Sequence, residues 1–251
     1  MNKVYIYDGK FNSLLLLVSY LIKFKKVPLD IKSENEYEPN LIDEPVYVNI
    51  KFTSNSLKKI LPSNIYLRIY YVYLSNNKNK EIIIYNFIKN YLIYKENIIY
   101  RRNIDSVNDL INISRYVGSE AHKLKGFLRY KKMKDFFYAE IEPTNNIINI
   151  LANHFKKRLS GEYWIIKETK RETYSLYDKE KITYLNKEDI LKLNLELSDD
   201  EMMYEKLWKE FFKTISIKER QNLKCQMNFM PKKYWKNIIE MENDYEESNK
   251  Q

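Results

Sequence analysis

Cysteine, histidine, glycine and proline are all scarce in this 251-residue chain, with one, two, four and six copies. The single cysteine, Cys225, excludes an intramolecular disulfide, a CxxC zinc site and a self-contained iron–sulfur cluster. That usage fits a reducing, cytoplasmic setting. The two histidines, His122 and His154, share no ligand spacing with Cys225 and stand beside no carboxylate cluster, so no metal is expected. P-loop, GxGxxG, GxSxG and HExxH motifs are all missing, and with them any recognised catalytic constellation or cofactor cradle. No cofactor is expected. The apolar run LLLLVSYLI (14–22) has nine residues, too few to span a bilayer. It follows Asp8 and Gly9 and has no small-residue cleavage site, so neither a signal peptide nor a membrane partner is expected.

Hydrophobic residues make up 44% of the chain, enough to bury a sizeable core. Lysine and arginine number 43 against 34 aspartates and glutamates, a balance of +9. Such a surface favours a polyanion, an acidic protein or an anionic membrane. The chain is also crowded with Ile, Asn, Lys and 23 Tyr, the mark of an AT-rich codon bias, so the sparing use of arginine tells more than the lysine count. The excess is segregated. Residues 115–171 hold 13 cations against 6 carboxylates (+7), and 204–240 hold 9 against 4 (+5), while 30–45 is acidic. Both basic stretches interleave cations with aromatics: KGFLRYKK, HFKKRL, YWIIKETKR and KKYW. One such cluster is most often a core aromatic beside a solvated cation. Several together favour a face on which phosphates meet cations and bases meet rings. KGFLRY touches the RNP1 pattern at Lys125, Gly126 and Phe127. Leu128 and Arg129 break it, and an RNA-recognition motif is excluded.

KVYIYD (3–8) is a strand signal that ends in Asp-Gly, and a helix capped at Asn12 or Ser13 follows to about Lys25. Residues 30–45 are polar with two prolines and are expected to form a loop. VYVNIKFT (46–53) alternates like a strand. The pattern is helical from Ser56 to about Tyr94, interrupted by Pro62 and by SNNKNK (75–80). Val107, Leu110, Ile111, Ser114, Val117, Ala121 and Leu124 keep helical spacing, with Gly118 inside the run. FLRYKK (127–132) and FFYAEIEP (136–143) are expected as paired antiparallel strands. Thr144 or Asn145 caps the next helix, which Gly161 ends. YWIIKETKRE (163–172) and TYSLYDKEKITYL (173–185) supply further strands. The expected fold is therefore α+β: a small antiparallel sheet with a β-β-α-β-β core, packed with N-terminal and C-terminal helices. The last helices begin at 198–215, capped by Ser198 with Glu201 at the capping-box position. They bring Trp208, Phe211, Phe212, Ile215 and Trp235 into the expected core. The parts are a strand–helix region over 1–83, a core domain over 84–241 and a flexible tail over 242–251, together one compact unit.

YIYDG, the core EAHKLKGFLRY…YAEIEPTNNIINILANHFKKRL…WIIKETKR and the ending LWKEFFKTISIKERQNLKCQMNFMPKKYW resemble a bacterial family of DNA metabolism and repair proteins. That family is defined by a domain of unknown function. The resemblance is densest from about residue 84 to 240. It implies DNA as a ligand and, as a partner, a radical S-adenosylmethionine protein that modifies or repairs DNA. Some relatives are fused to a uracil-DNA glycosylase-like domain, which implies a protein of that kind as a further partner. This chain has neither the GxDPY-type nor the HPSP-type glycosylase motif. It also lacks CxxxCxxC, so any radical chemistry belongs to the partner. Glu168 stands where similar proteins have an aspartate.

EAHKLKGFLRY (120–130) is then expected to be a helix-to-strand corner turned at Gly126. His122 is the candidate acid–base residue. The expected phosphate contacts are Lys123, Lys125, Arg129, His154, Arg158, Lys170, Arg171, Arg220, Lys232 and Lys233. Two alternatives stand beside DNA binding. One is an enzyme acting on a base or nucleotide, with His122 as acid–base and Arg129 or Arg171 on phosphate. The other is a non-enzymatic adaptor that docks an acidic protein.

Overall fold

The computed structural model describes residues 3–39, 43–48, 56–190 and 196–241. The chain divides into two compact units, Met1–Gly118 and Ser119–Gln251. The division falls inside a helix rather than at 83/84, and the expected 242–251 tail lies outside the described residues.

In the first unit, β1 (Lys3–Tyr7) is the middle strand of a parallel sheet, between β2 (Asp30–Ser33) and β3 (Glu44–Tyr47). Val4 through Tyr7 are buried without alternation, as in a strand covered on both faces. The expected loop over 30–45 therefore contains β2 and the start of β3, whose Val46 and Tyr47 open the expected strand over 46–53; residues 49–53 lie outside the described residues. Charged flanks hid β2 and the start of β3: only Ile31 and Ser33 of β2 are buried, and β3 carries Pro45 on an edge. Gly9, at φ +77°, turns the chain from β1 into α1 (Phe11–Lys23). Leu14, Leu15, Leu17, Val18 and Leu21 form the buried stripe of α1. Then come α2 (Ser56–Ile60), α3 (Ser63–Tyr73), α4 (Lys80–Tyr94) and α5 (Asp105–Phe127). Pro62 is the N-cap of α3, where its missing N–H is harmless. The core includes Ile65, Ile69, Ile84, Phe87, Ile88 and Leu110. All seven positions of the helical run in α5 are buried. Gly118 is there for space, because a Cβ would lie 3.1 Å from the Tyr71 ring.

The second unit holds a five-stranded sheet in the order β4-β5-β6-β7-β8. These are β4 (Lys131–Lys132), β5 (Phe137–Ile141), β6 (Trp164–Glu168), β7 (Thr173–Tyr177) and β8 (Ile182–Leu185). The β-β-α-β-β order is present, with a fifth strand added. The sheet is mixed, not purely antiparallel: α6 (Ile148–Arg158) crosses between β5 and β6, so those two run parallel. The expected strand over 127–132 shrinks to two residues because α5 continues through Phe127. Gly126 is thus helical and open to space, not a tight corner. Gly161 has no positive φ and meets nothing, so it is not a left-handed cap.

After α7 (Lys187–Ile190) come α8 (Asp199–Ile215), α9 (Leu223–Phe229) and short 3-10 turns, among them Lys232–Asn237. The Ser198 side chain makes no cap bond, and the Glu201 carboxylate instead accepts the Lys132 N–H at 2.9 Å. The expected core residues part company here. Trp235 is 2% exposed, but Trp208, Phe211 and Ile215 are 43%, 52% and 56% exposed. Their helical spacing suits burial, but α8 is held by Glu201, by Glu205 on Lys131 and by the Trp208 N–H on Glu240.

Candidate phosphate-binding face and its buried carboxylates

Glu120 sits one turn from both Val117 and Leu124, in the apolar stripe of α5, and is 4% exposed. A carboxylate there must be paired or protonated. It accepts the backbone N–H groups of Thr144 and Asn145, each at 2.9 Å, and the Asn145 side-chain amide at 2.7 Å. Lys233 Nζ donates at 2.9 Å and the Tyr234 hydroxyl at 3.1 Å. Asn145 is therefore bound to Glu120, and Ile147 is the N-cap of α6. Burial pushes the Glu120 pKa up, but the Thr144 N–H, Lys233 and the Asn145 N–H outweigh it and hold the carboxyl at about 2. The same burial, opposed by Lys233, raises the Tyr234 phenol to about 12.

Glu168, at the end of β6, has no exposed surface. One oxygen pairs with Arg171, whose other nitrogen donates to the Thr144 carbonyl at 2.8 Å. The second oxygen, Oε2, has no hydrogen-bond partner among the described residues. Burial raises the Glu168 pKa against the pull of Arg171. Lys233 also donates to Thr144 Oγ1 at 2.9 Å. Thr144 is thus the joint between the two carboxylates, tying α5, the β5–α6 connection, the β6–β7 turn and the Lys232–Asn237 turn together. Its chemistry is that of a clamp, with no open face for a substrate at Glu168.

The expected phosphate contacts fall into several groups. Arg171 and Lys233 spend their charge on these buried carboxylates. Lys125 and Arg158 lie near His154 on α6, and both act electrostatically on it. Burial first, then those two cations, lower the His154 pKa and keep the ring neutral near pH 7. Its Nε2 is buried without a partner among the described residues. Lys123, Lys125, Lys157 and Arg158 make no ion pair among the described residues. Arg129 donates to the Gly126 carbonyl at 3.0 Å and lies 3.8 Å from Glu240. It lines a groove of about 550 Å³ with Lys131 and Lys236. Lys170 is exposed beside Glu168. Arg220 and Lys232 are exposed on the C-terminal segment, and His122 is exposed on α5 with no hydrogen bond among the described residues.

Sequence reasoning passed over Glu120, Thr144, Asn145 and Tyr234. The available signal was Glu120 itself, a charge placed inside an apolar helical stripe.

A unit with a mixed sheet, one parallel βαβ step and flanking helices belongs to the α+β class. The chain is a member of the family described as a domain of unknown function, DUF4130, whose model matches residues 78–240. That span contains every expected site residue. No curated protein and no solved structure matches the chain. Among the described residues no helix is long and apolar enough to cross a membrane.

Proposed function

We propose that this protein binds DNA through the ends of α5 and α6 and acts in DNA metabolism or repair beside a radical S-adenosylmethionine protein. The observation that carries the binding is the pair Lys125 and Arg158, which both act electrostatically on His154 and make no ion pair among the described residues. Like charges near one another and outside ion pairs raise the local potential, and a polyphosphate relieves it. The partner, and a uracil-DNA glycosylase-like protein beside it, come from the resemblance of the sequence motifs. His122, the candidate acid–base residue, is exposed and makes no hydrogen bond among the described residues, so the free cations rather than the histidine support the reading.

Fluorescence anisotropy with a DNA duplex tests this. Contact with about five phosphates gives a log K against log salt slope of −4 to −5 on duplex. Lys125→Glu with Arg158→Glu should shrink that slope by about 2 and weaken binding at least ~10-fold. A flat salt response removes DNA binding and leaves docking to an acidic protein. Nuclease-treated pull-down from the native host reads the protein partner separately.

A further inference from the structure

Between the end of α8, α9 and the Lys232–Asn237 turn lies a cavity of about 760 Å³. That volume is in the range of small-molecule sites. Its walls include three aromatic rings: Phe212, Phe229 and Trp235. Trp235 is fixed by its own turn, donating its indole N–H to the Met230 carbonyl at 2.8 Å. Phe229 is 75% exposed and can move onto a flat ligand.

Two cations, Arg220 and Lys232, line the same cavity, and neither makes an ion pair among the described residues. Lys232 Nζ lies 5.8 Å from the centre of the Trp235 ring. No carboxylate is among the lining residues. The cavity therefore carries uncompensated positive charge beside aromatic surface. An inorganic anion would use the cations and leave the rings idle. An apolar molecule would do the reverse. A ring that carries a phosphate uses both, because aromatic faces stack on bases and guanidinium and ammonium groups grip phosphate oxygens.

Gln226 supplies a third element. It lines the cavity, and its side-chain amide donates to the Met241 sulfur at 3.2 Å, a weak acceptor. Its carbonyl oxygen has no partner among the described residues. An amide so placed can hydrogen-bond the edge of a base.

We propose that this cavity binds a nucleoside monophosphate unit, with the base on Phe212 and Phe229, over a floor closed by the buried Trp235, and the phosphate on Arg220 and Lys232. The unit is either a free nucleotide or one residue of a single strand. This goes beyond the phosphate grip of α5 and α6 and stands without it, since the two sets share no residue.

Cys225 provides a local readout. It is the chain's only cysteine, it is exposed, and it lines the cavity. Alkylation of the intact protein by iodoacetamide is followed by mass spectrometry. The additions are deoxyadenosine monophosphate, deoxyadenosine, inorganic phosphate or a short oligodeoxyadenylate. The monophosphate is expected to slow alkylation, with deoxyadenosine and phosphate far weaker. Protection by the oligonucleotide alone assigns the cavity to a strand, and protection by the monophosphate alone assigns it to a free nucleotide. Arg220→Ala or Lys232→Ala, each at an exposed position, should weaken the protecting ligand roughly 10-fold, the loss of one charge-assisted contact. Unchanged alkylation with both the monophosphate and the oligonucleotide overturns the proposal. So does equal protection by inorganic phosphate, or protection that survives when Arg220→Ala and Lys232→Ala are combined. Lys125→Glu with Arg158→Glu should leave Cys225 protection by the monophosphate intact, so failure of this site and failure of duplex binding are distinguishable.

Discussion

Glu81, in the first unit, and Glu120, in the second, are about equally buried, at 1% and 4% exposure. Their surroundings differ. Glu81 accepts one good hydrogen bond, from the Tyr7 hydroxyl at 3.0 Å, and lies 3.8 Å from Lys80. Its Oε2 has no partner among the described residues, and burial raises its pKa. Glu120 collects two backbone N–H groups, an amide, an ammonium and a phenol, and its pKa falls to about 2. Burial depth alone therefore does not set a carboxylate's charge. The number of donors aimed at it does. In the first unit the buried acid has Tyr7 and Lys80 beside it and one oxygen without a partner among the described residues, whereas in the second it ties several elements together.

The largest effect that would break this comparison lies at Glu120. Glu120→Ala leaves Lys233 without its counter-charge and two backbone N–H groups without an acceptor. Lys233, 42% exposed, falls back on water, but each stranded backbone N–H costs about 1–3 kcal/mol. Urea unfolding should show it, and a loss below about 1 kcal/mol would mean that water replaces the carboxylate freely.

The acid limb of stability comes next. The folded pKa of Glu120 is depressed to about 2, so its stabilisation is fully present above the unfolded value near 4.5 and is lost as pH falls from there toward 2. A shift of that size corresponds to about 3 kcal/mol. Unfolding free energies measured between pH 6 and pH 2 should fall steeply in the wild type. They should fall less in Glu120→Gln, which starts lower at pH 6. Parallel curves would remove Glu120 from the acid transition.

A smaller effect of opposite sign is expected at Glu81. Its folded pKa is raised, so the folded state holds its proton more tightly than the unfolded chain does. Stability is then lost as pH rises through the window above 4.5. Glu81→Gln keeps an acceptor for Tyr7 and removes that loss. At pH 7 it should match or exceed the wild type, by up to about 1 kcal/mol. Destabilisation as large as that of Glu120→Gln would erase the distinction between the two glutamates.

The smallest effect is expected at the surface. The Trp208 indole N–H reaches Glu240 at 3.0 Å, and the ring is 43% exposed. Trp208→Phe keeps most of the ring and removes one neutral hydrogen bond, costing about 1 kcal/mol or less. A larger fall in Tm would place Trp208 in a packed core.

The secondary structure of the second unit was largely legible because its strands and helices carry clean periods: YAEI, WIIKE and TYSLY as strands, NILANHF as a helix. The parallel pairing of β5 with β6 was not, because strand direction depends on where the crossover helix returns the chain. The β2 strand was missed because an edge strand buries few side chains and advertises little apolar alternation, whereas β3 overlaps the expected 46–53 strand at Val46 and Tyr47. Lys125 and Arg158 both lie near the neutral His154, a proximity that only the structure supplies. Arg171 and Lys233 were grouped with them by charge alone, but their buried partners claim them.

The sequence by itself determined that this chain has a large core, one cysteine, two basic segments, helical runs around α5 and α8, and an α+β order. Each follows from composition or from periods of two and 3.6, which are local properties of the chain. Only the tertiary structure decided which cations remain free of carboxylates, because Lys233 meets Glu120 across 113 positions of sequence. It also decided that α8 turns Phe211 outward and that Thr144 joins two buried acids. Pairing, burial and the shift of a pKa depend on neighbours in space, and spacing along a chain does not specify them.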